Sequence, residues 1–204
     1  MRLGIVDYGM CNILNVARAF EFCGAAPEVL SSPQQILEMD AVVLPGVGAF
    51  NGAMIELHRR GFVEALQASV ANGRPLLGIC LGMQLLLDRS EEFVVSDGLG
   101  FISGSVQRIP SQVEKSFKVP HTGWGELQVR PAGNVGLNLE GSFYFVHSYM
   151  AVLEDDSNCL ASCQYGEIDI VSVVRSANVT GFQFHPEKSG VSGLDLIKSY
   201  MESI

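Results

Sequence analysis

The chain has 204 residues, of which 48% are hydrophobic and 17% charged, and its formal net charge at pH 7 is −9. A chain of this length and composition predicts a single domain over residues 1–204 with a substantial buried core. Because 22 acidic residues outnumber 13 basic ones and no Lys/Arg cluster occurs, the charge argues against a nucleic-acid partner.

The sequence also argues against export and membrane insertion. The chain opens directly on an apolar, strand-like run without a basic leader. No apolar run approaches the roughly 18 residues that span a bilayer. The five cysteines lack the spacings of disulfide frameworks and metal sites, and they lie at Cys11, Cys23, Cys80, Cys159 and Cys163. We therefore expect a soluble, cytoplasmic protein with no metal and no cofactor.

Strand and helix signals alternate through the first half of the chain. Apolar runs of strand length lie at Leu3–Val6, at Ala41–Leu44 (stopped by Pro45-Gly46) and at Pro75–Ile79. Helical patterning runs from the capping residue Asn12 to about Gly24, from Asn51 to Asn72 with a break at Gly61, and over Leu81–Leu87. This alternation predicts an α/β fold whose central sheet is mostly parallel, with helices on both faces.

After about Asp88 the pattern changes to short β-rich runs. They lie at Gly104–Ile109, Glu126–Arg130, Ser142–Val146, Asn158–Gln164, Ile168–Arg175 and Val179–Phe184. Turn residues between them, at Asp97-Gly98, Gly133-Asn134 and Asn178, predict an antiparallel β extension. A helix from about Ser192 closes the chain, with one apolar face made by Leu194, Ile197, Met201 and Ile204.

The segment Gly78-Ile79-Cys80-Leu81-Gly82 lies where a predicted strand meets a predicted helix. It is the cysteine counterpart of the Gly-x-Ser-x-Gly nucleophile elbow. A sharp turn there strains the nucleophile's backbone and leaves room only for glycine on either side. The helix N-terminus would favour a thiolate and supply an N–H group to an oxyanion. The alternative interpretation is a buried, inert cysteine between two packing glycines.

His185-Pro186-Glu187 follows a predicted strand directly. In an extended segment residues two apart share a face, so His185 could accept the Cys80 proton while Glu187 fixes the imidazole tautomer. An isolated His-x-Glu is more often a solvated strand end, but an elbow cysteine in the same chain favours a Cys–His–Glu triad.

The loop Pro45–Phe50 contains Gly46-Val47-Gly48 and could supply the other oxyanion donor. A dinucleotide fingerprint is disfavoured, because Gly52 comes one residue too late for Gly-x-Gly-x-x-Gly.

These segments resemble a known family. Three segments resemble the signature motifs of class I glutamine amidotransferases: Pro45–Phe50, Leu77–Gln84 and Gln183–Ser189. Three further segments resemble the HisH group of this family, the glutaminase subunits of imidazole glycerol phosphate synthases: Asp7–Gly9, Val119–Trp124 and Phe145–Tyr149. The resemblance runs in order from residue 3 to about residue 199.

The resemblance implies a flavodoxin-like fold and a role for each matching residue. The triad would be Cys80, His185 and Glu187, and the oxyanion donors would be the amides of Val47 and Leu81. The glutamine-binding residues would be Gly48, Gln84, His147, Ser148 and Tyr149. Glutamine would be hydrolysed through a thioester at Cys80, and ammonia would pass to a (β/α)8-barrel cyclase subunit, HisF, in a heterodimer that serves histidine biosynthesis.

The sequence departs from the family pattern at three positions. Cys11 stands where the family usually has Gly, and Thr122 and Gly125 interrupt the usual Met-Gly-Trp-Asn/Ser run. These departures leave the ammonia acceptor open. A HisH-like branch that supplies amidino-sugar synthesis for surface polysaccharide is the alternative, and Ala161–Gly166 resembles it. A free-standing thiol hydrolase and a non-catalytic, partner-binding module on the same fold are the interpretations from other classes.

The remaining polar candidates have simpler interpretations. His121 beside Trp124 is expected to be a packed, hydrogen-bonded histidine, and His58 to lie on a solvated helix face. Glu91-Glu92 is expected to be surface charge, since no second carboxylate cluster suggests a metal site.

Overall fold

A computed structural model describes residues 1–110, 118–131 and 136–204. The strands in chain order are β1 (Leu3–Val6), β2 (Glu28–Leu30), β3 (Ala41–Gly46), β4 (Leu76–Cys80), β5 (Leu87–Ser90), β6 (Ser96–Asp97), β7 (Ile102–Arg108), β8 (His121–Val129), β9 (Ser142–His147), β10 (Tyr149–Leu153), β11 (Cys159–Tyr165), β12 (Ile168–Ser176) and β13 (Val179–Phe182). The α-helices are α1 (Ile13–Phe22), α2 (Pro33–Ile36), α3 (Phe50–Arg59), α4 (Phe62–Ala71), α5 (Leu81–Leu85) and α6 (Gly190–Glu202).

The central sheet has the strand order β2-β1-β3-β4-β13-β12-β11-β8-β9. The five strands from β2 to β13 are parallel, and the next four strands continue the sheet in antiparallel register. The parallel half with an antiparallel extension confirms the sequence prediction. The carboxyl ends of β3, β4 and β13 lie side by side, so residues that follow these three strands meet at one edge.

Two hydrophobic clusters cover the two faces of this sheet. Alternate strand residues face opposite clusters, as Val42 and Leu44 do against Ala41 and Val43 on β3. Helices α2 to α5 bury their apolar residues in the first cluster, while α1 and α6 bury theirs in the second. In the described residues, no helix is long and apolar enough to cross a membrane.

A smaller sheet, with the order β10-β7-β5-β6, packs beside the first cluster. The sequence did not predict β5, β6, β10, β2 or the short helix α2. The predicted helix Leu81–Leu87 is wrong at its end, because α5 stops at Leu85 and Leu87 begins β5 by pairing with Ile102. A short, continuous apolar run does not distinguish helix from strand.

Other boundaries differ for physical reasons. Strand β3 does not stop at Pro45 but continues to Gly46, in register with Ile79 and Cys80 of β4. Pairing of β3 with β1 ends at Val43, so on that side Pro45 faces no paired strand. The missing N–H of proline therefore leaves no hydrogen bond of the sheet unmade there. Asn12 precedes α1, but its side chain makes no capping hydrogen bond. The predicted turn at Gly133-Asn134 lies outside the described residues.

Packing explains the departure from the family pattern at residue 125. A Cβ atom on Gly125 would overlap the Sγ atom of Cys163 and lie 3.3 Å from Cε2 of Phe145. Both neighbours are buried, Cys163 on the adjacent strand β11 and Phe145 on β9. A side chain at residue 125 therefore competes with the thiol of Cys163 for the same space.

We expect Gly125→Ala to lower the free energy of unfolding by about 1–3 kcal/mol, as overpacking of a filled core does. In a Cys163→Ala background the same substitution should cost clearly less, because the overlapping atom is gone. Urea denaturation of the four members of this double-mutant cycle measures the difference. An equal cost in both backgrounds would rule out Cys163 as the obstacle.

Candidate active site

Cys80 lies at the junction of β4 and α5, in the conformation that an elbow requires. Its φ is 55° and its ψ is −110°, a backbone conformation that costs free energy for a residue with a Cβ atom. Leu81 is the first residue of α5, so its N–H has no acceptor inside the helix. The elbow interpretation of the sequence agrees with this backbone.

The two glycines of the elbow are required by close backbone packing. A Cβ atom on Gly78 would lie 2.6 Å from the carbonyl oxygen of Gly82, and one on Gly82 would overlap the carbonyl oxygen of Leu44. Neither obstacle is a flexible side chain. The tight crossing of β3, β4 and α5 is therefore possible only with glycine at residues 78 and 82.

His185 and Glu187 are in direct contact. Nδ1 of His185 and Oε1 of Glu187 are 2.7 Å apart, and both side chains are buried. The sequence pattern predicts an extended segment here, but β13 ends at Phe182 and Glu187 lies in a 3-10 turn over Pro186–Lys188. The turn still brings the carboxylate to the imidazole.

Three hydrogen bonds fix the backbone of His185. Its N–H donates to the carbonyl of Tyr144 on β9 at 2.9 Å, and its own carbonyl accepts from the hydroxyl of Ser189 at 2.6 Å and from the N–H of Lys188 at 3.0 Å. Nε2 of His185 is buried and makes no hydrogen bond to the described residues. Glu187 therefore occupies Nδ1 and leaves Nε2 as the ring nitrogen that is not hydrogen-bonded to the described residues.

The electrostatics of His185 connect it to Cys80. Burial lowers the pKa of His185 and is the largest single effect, but the interactions with Cys80 and Glu187 together outweigh it and raise the pKa to about 10. Cys80 is therefore near the imidazole of His185, although Nε2 of His185 and the sulfur do not form a hydrogen bond of ordinary geometry. A cysteine beside an imidazole is the arrangement in which a thiol can be activated as a nucleophile.

The other cysteines are in environments that favour the neutral thiol. Burial raises the pKa of Cys11 and of Cys163 to about 11, and it raises the pKa values of Cys23 and Cys159 as well. None of these four lines the cavity that contains Cys80 and His185.

One cavity of about 640 Å³ brings together the residues that the sequence analysis selected. Those that line it are Val47, Gly48, Cys80, Leu81, Gln84, His147, Ser148, Tyr149 and His185. Glu187 does not line it and contacts His185 from behind. The cavity is large enough for an amino acid, with the sulfur of Cys80 at its wall.

The Val47 amide is engaged in the structure. Its N–H donates to the carbonyl of Met10 at 2.8 Å. The Met10 side chain also packs near Gly48, since a Cβ atom built on Gly48 would lie 3.1 Å from Cε of Met10. The Val47 amide can therefore reach an oxyanion only after it leaves Met10.

Glu92 is a cavity residue that the sequence pattern did not indicate. The expectation that Glu91-Glu92 is surface charge is wrong for Glu92, which is 8% exposed, lines the cavity and accepts a hydrogen bond from the Phe50 N–H at 2.6 Å. Phe93 follows it at a φ of 58° and meets the ring of Tyr149 edge-on at the cavity. Adjacent acidic residues in sequence gave no signal that one of them points inward.

The remaining histidines agree with their simple interpretations. His58 is exposed on α3, and His121 is buried and hydrogen-bonded. Within residues 1–110, 118–131 and 136–204, no group of three or more His, Cys, Asp or Glu side chains could bind a metal ion.

A buried cysteine at a strand-to-helix turn, an imidazole and a carboxylate lie together at the carboxyl edge of an α/β sheet, and these are the groups that thiol-dependent acyl transfer uses. Residues 4–199 match the family glutamine amidotransferase class-I. The chain belongs to this family.

Curated relatives extend over the whole chain. A protein of Legionella pneumophila (strain Lens) named imidazole glycerol phosphate synthase subunit HisH 1 is 42% identical and covers 98% of each chain. The subunit HisH of Listeria monocytogenes serotype 4a (strain HCC23) is 41% identical over 97% of this chain and 94% of its own length. The subunit HisH of Geobacter sulfurreducens is 41% identical over 98% of both chains.

Solved structures show the same fold at lower identity. A structure described as a glutamine amidotransferase superposes with a TM-score of 0.73 at 20% identity, over 99% of this chain and 98% of that one. A chain in the structure of PurLQS from Thermotoga maritima gives a TM-score of 0.72 at 19% identity, over 98% and 95% of the two chains.

The shifted pKa values of His121, His147 and His185 determine how the free energy of unfolding should depend on pH. Burial lowers the pKa of His147 to about 3 and that of His121 to about 4, from a usual value of 6.5. Below pH 6.5 these two histidines are protonated in the unfolded chain but remain neutral in the folded protein. The free energy of unfolding therefore decreases as the pH falls below 6.5. His185 has the opposite sign, and its contribution is present below 6.5 and lost as the pH rises through about 10.

We expect His147→Gln to flatten the acid side of the stability curve, by up to about 1.4 kcal/mol for each pH unit. Denaturant unfolding at pH 5, 6 and 7 measures the slope, and the exposed His58→Gln serves as the control. Parallel curves for wild type and His147→Gln would contradict the buried, neutral state of His147.

Proposed function

We propose that this protein is the glutaminase subunit of an imidazole glycerol phosphate synthase. It would hydrolyse L-glutamine at Cys80 and pass ammonia to a (β/α)8-barrel cyclase subunit, HisF, in a cytoplasmic heterodimer. One observation supports the catalytic role most strongly. His185 contacts Glu187 at 2.7 Å and lines the same cavity as Cys80. The names of the full-length relatives support the histidine-pathway part.

The first half-reaction follows from the roles that these groups can take. The Cys80 proton moves to Nε2 of His185, and the sulfur forms a bond to the carboxamide carbon of glutamine. His185 then gives the proton to the amide nitrogen, the C–N bond breaks, and ammonia leaves a γ-glutamyl thioester on Cys80. Glu187 keeps the imidazole oriented and stabilises its positive charge during both transfers.

The second half-reaction uses the same groups with water. His185 takes a proton from a water molecule, whose oxygen attacks the thioester carbon. The C–S bond breaks, glutamate leaves, and the proton returns to the thiol of Cys80. No metal or cofactor is required by this sequence of steps.

The oxyanion of each tetrahedral intermediate needs two donors near Cys80. The Leu81 N–H is one, since it lies at the start of α5, next to the nucleophile. The Val47 N–H is the other, but it donates to Met10 at rest. We infer that the resting site is half formed and that docking of the cyclase subunit must release the Val47 amide.

The cavity also has the polarity that glutamine requires. Glu92 is its buried carboxylate and can bind the α-ammonium group, while Gly48, Gln84, His147, Ser148 and Tyr149 would contact the rest of the substrate. Gln84 donates both amide hydrogens to protein acceptors, the carbonyl of Tyr149 at 2.9 Å and Oε1 of Gln183 at 3.0 Å. Its own Oε1 remains as an acceptor for the substrate.

The family match over residues 4–199 also supports a single domain over residues 1–204. The relatives' names favour histidine biosynthesis over the amidino-sugar branch as the destination of the ammonia. The two destinations differ in what the partner consumes, so the co-purifying barrel protein distinguishes them.

Replacing the nucleophile tests the catalytic assignment. In the complex with the cyclase subunit, Cys80→Ala should lower kcat for glutamate release by about 10³-fold or more. A glutamine-analogue alkylator should add one adduct, at Cys80, by peptide mass mapping. The half-buried Cys23, changed to Ser, is the matched control and should leave labelling and turnover intact. Undiminished turnover in Cys80→Ala would remove the assignment.

The engaged Val47 amide predicts slow turnover by the isolated subunit. Loss of one oxyanion donor costs about 10²–10³-fold in kcat, so adding the cyclase subunit should raise the rate by about that factor. Steady-state glutamate release with and without the partner measures it. Equal rates would show that the Met10 contact does not limit catalysis.

A further inference from the structure

The cavity wall at residues 147–149 is a tight corner where the chain leaves the central sheet and enters the smaller one. Strand β9 ends at His147 and β10 begins at Tyr149, so Ser148 alone makes the crossing. The carbonyl of Ser148 accepts from the Ile109 N–H at 2.9 Å. The carbonyl of Tyr149 accepts from Nδ1 of His147 at 2.8 Å and from Nε2 of Gln84 at 2.9 Å.

These contacts fix the direction of the corner's peptide groups. In a planar trans peptide the C=O and N–H bonds point in opposite directions. Anchoring the Ser148 carbonyl therefore orients the Tyr149 N–H, and anchoring the Tyr149 carbonyl orients the Met150 N–H. The side chains and backbone that Ser148 and Tyr149 present to the cavity depend on these anchors.

The hydrogen bonds have one possible polarity. A backbone carbonyl only accepts, so Nδ1 of His147 must carry a proton. Burial lowers the pKa of His147 to about 3, so the ring is neutral at neutral pH and Nε2 is an acceptor. Nε2 of His147 lies 3.0 Å from Nδ1 of His121, and the donor of this second bond is therefore His121.

His121 is rigidly placed to donate. It lies directly opposite His147 on the neighbouring strand β8 and is 3% exposed. Its ring stacks on that of Phe145, at a centroid distance of 4.7 Å, and on that of Tyr165, at 3.9 Å. The hydroxyl of Tyr165 donates to the Lys118 carbonyl at 2.6 Å, which fixes that side of the stack.

We propose that His121 is a positioning residue for glutamine: through its N–H to His147 it sets the tautomer that closes the 147–149 corner and so shapes the substrate-binding wall. The proposal rests on the glutaminase function proposed above. Without the His121 donor, His147 can adopt the other tautomer, whose bare Nδ1 repels the Tyr149 carbonyl and opens the corner.

Loss of the His121 donor should weaken glutamine binding and leave the rate of the chemical steps unchanged. The backbone of His185 is anchored by Tyr144 and Ser189, and Glu187 contacts its ring, so no triad contact passes through His121. A loosened corner weakens contacts to glutamine in the ground state and in the transition state alike. Such a loss raises KM and leaves kcat unchanged.

Three substitutions separate hydrogen bonding from packing at residue 121. His121→Phe keeps an aromatic ring for the stack and removes the donor, whereas His121→Asn keeps an amide donor near the position of Nδ1. We expect His121→Phe to raise KM for glutamine about tenfold, the equivalent of one hydrogen bond, with kcat within about twofold in the cyclase complex. His121→Asn should restore most of KM, and the exposed His58→Phe should change neither constant.

The tautomers give a readout that needs no substitution. In ¹⁵N spectra of the histidine-labelled protein, His147 and His121 should both be neutral with the proton on Nδ1. A His147 proton on Nε2 would overturn the proposal. So would an unchanged KM in His121→Phe, or equal losses in the Phe and Asn variants, which would indicate packing alone. An inactive wild-type complex would instead overturn the proposed function, and the tautomer measurement would still decide this inference.

Discussion

The site depends on a strained residue at the end of β4. Cys80 has a positive φ because β4 turns at once into α5, and the surrounding backbone leaves no alternative path. Gly78 and Gly82 make that path possible, while the pairing of β4 with β3 on one side and β13 on the other keeps it in place. The packing of the parallel strands on both faces of the sheet offsets the conformational strain of this backbone.

The same edge of the sheet collects the other groups. The loop after β3 carries Val47, the turn after β13 carries His185 and Glu187, and the crossing from β9 to β10 carries Ser148 and Tyr149. Each segment is fixed by backbone or side-chain hydrogen bonds outside the reacting atoms. The Val47 amide is fixed in the same way, by its hydrogen bond to the carbonyl of Met10.

Much of this could be predicted from the sequence, because the signals were local. The elbow glycines, the alternation of strands and helices, and the break at Gly61 each follow from short-range backbone rules. Leu87 could not be assigned correctly, since a continuous leucine run fits a helix or a buried strand equally well. The inward position of Glu92 and the hydrogen bond from His121 to His147 depend on the smaller sheet and on cross-strand register, which the sequence pattern does not contain.

The central claim is that glutamine is hydrolysed through covalent attack of the Cys80 sulfur on its carboxamide carbon. Rapid acid quenching of the wild-type complex during turnover, followed by mass spectrometry, tests it directly. We expect a γ-glutamyl group on the peptide that contains Cys80, present during turnover and absent once glutamine is exhausted. Sustained glutamate release with no acyl group on Cys80, or with the group on another residue, would contradict it.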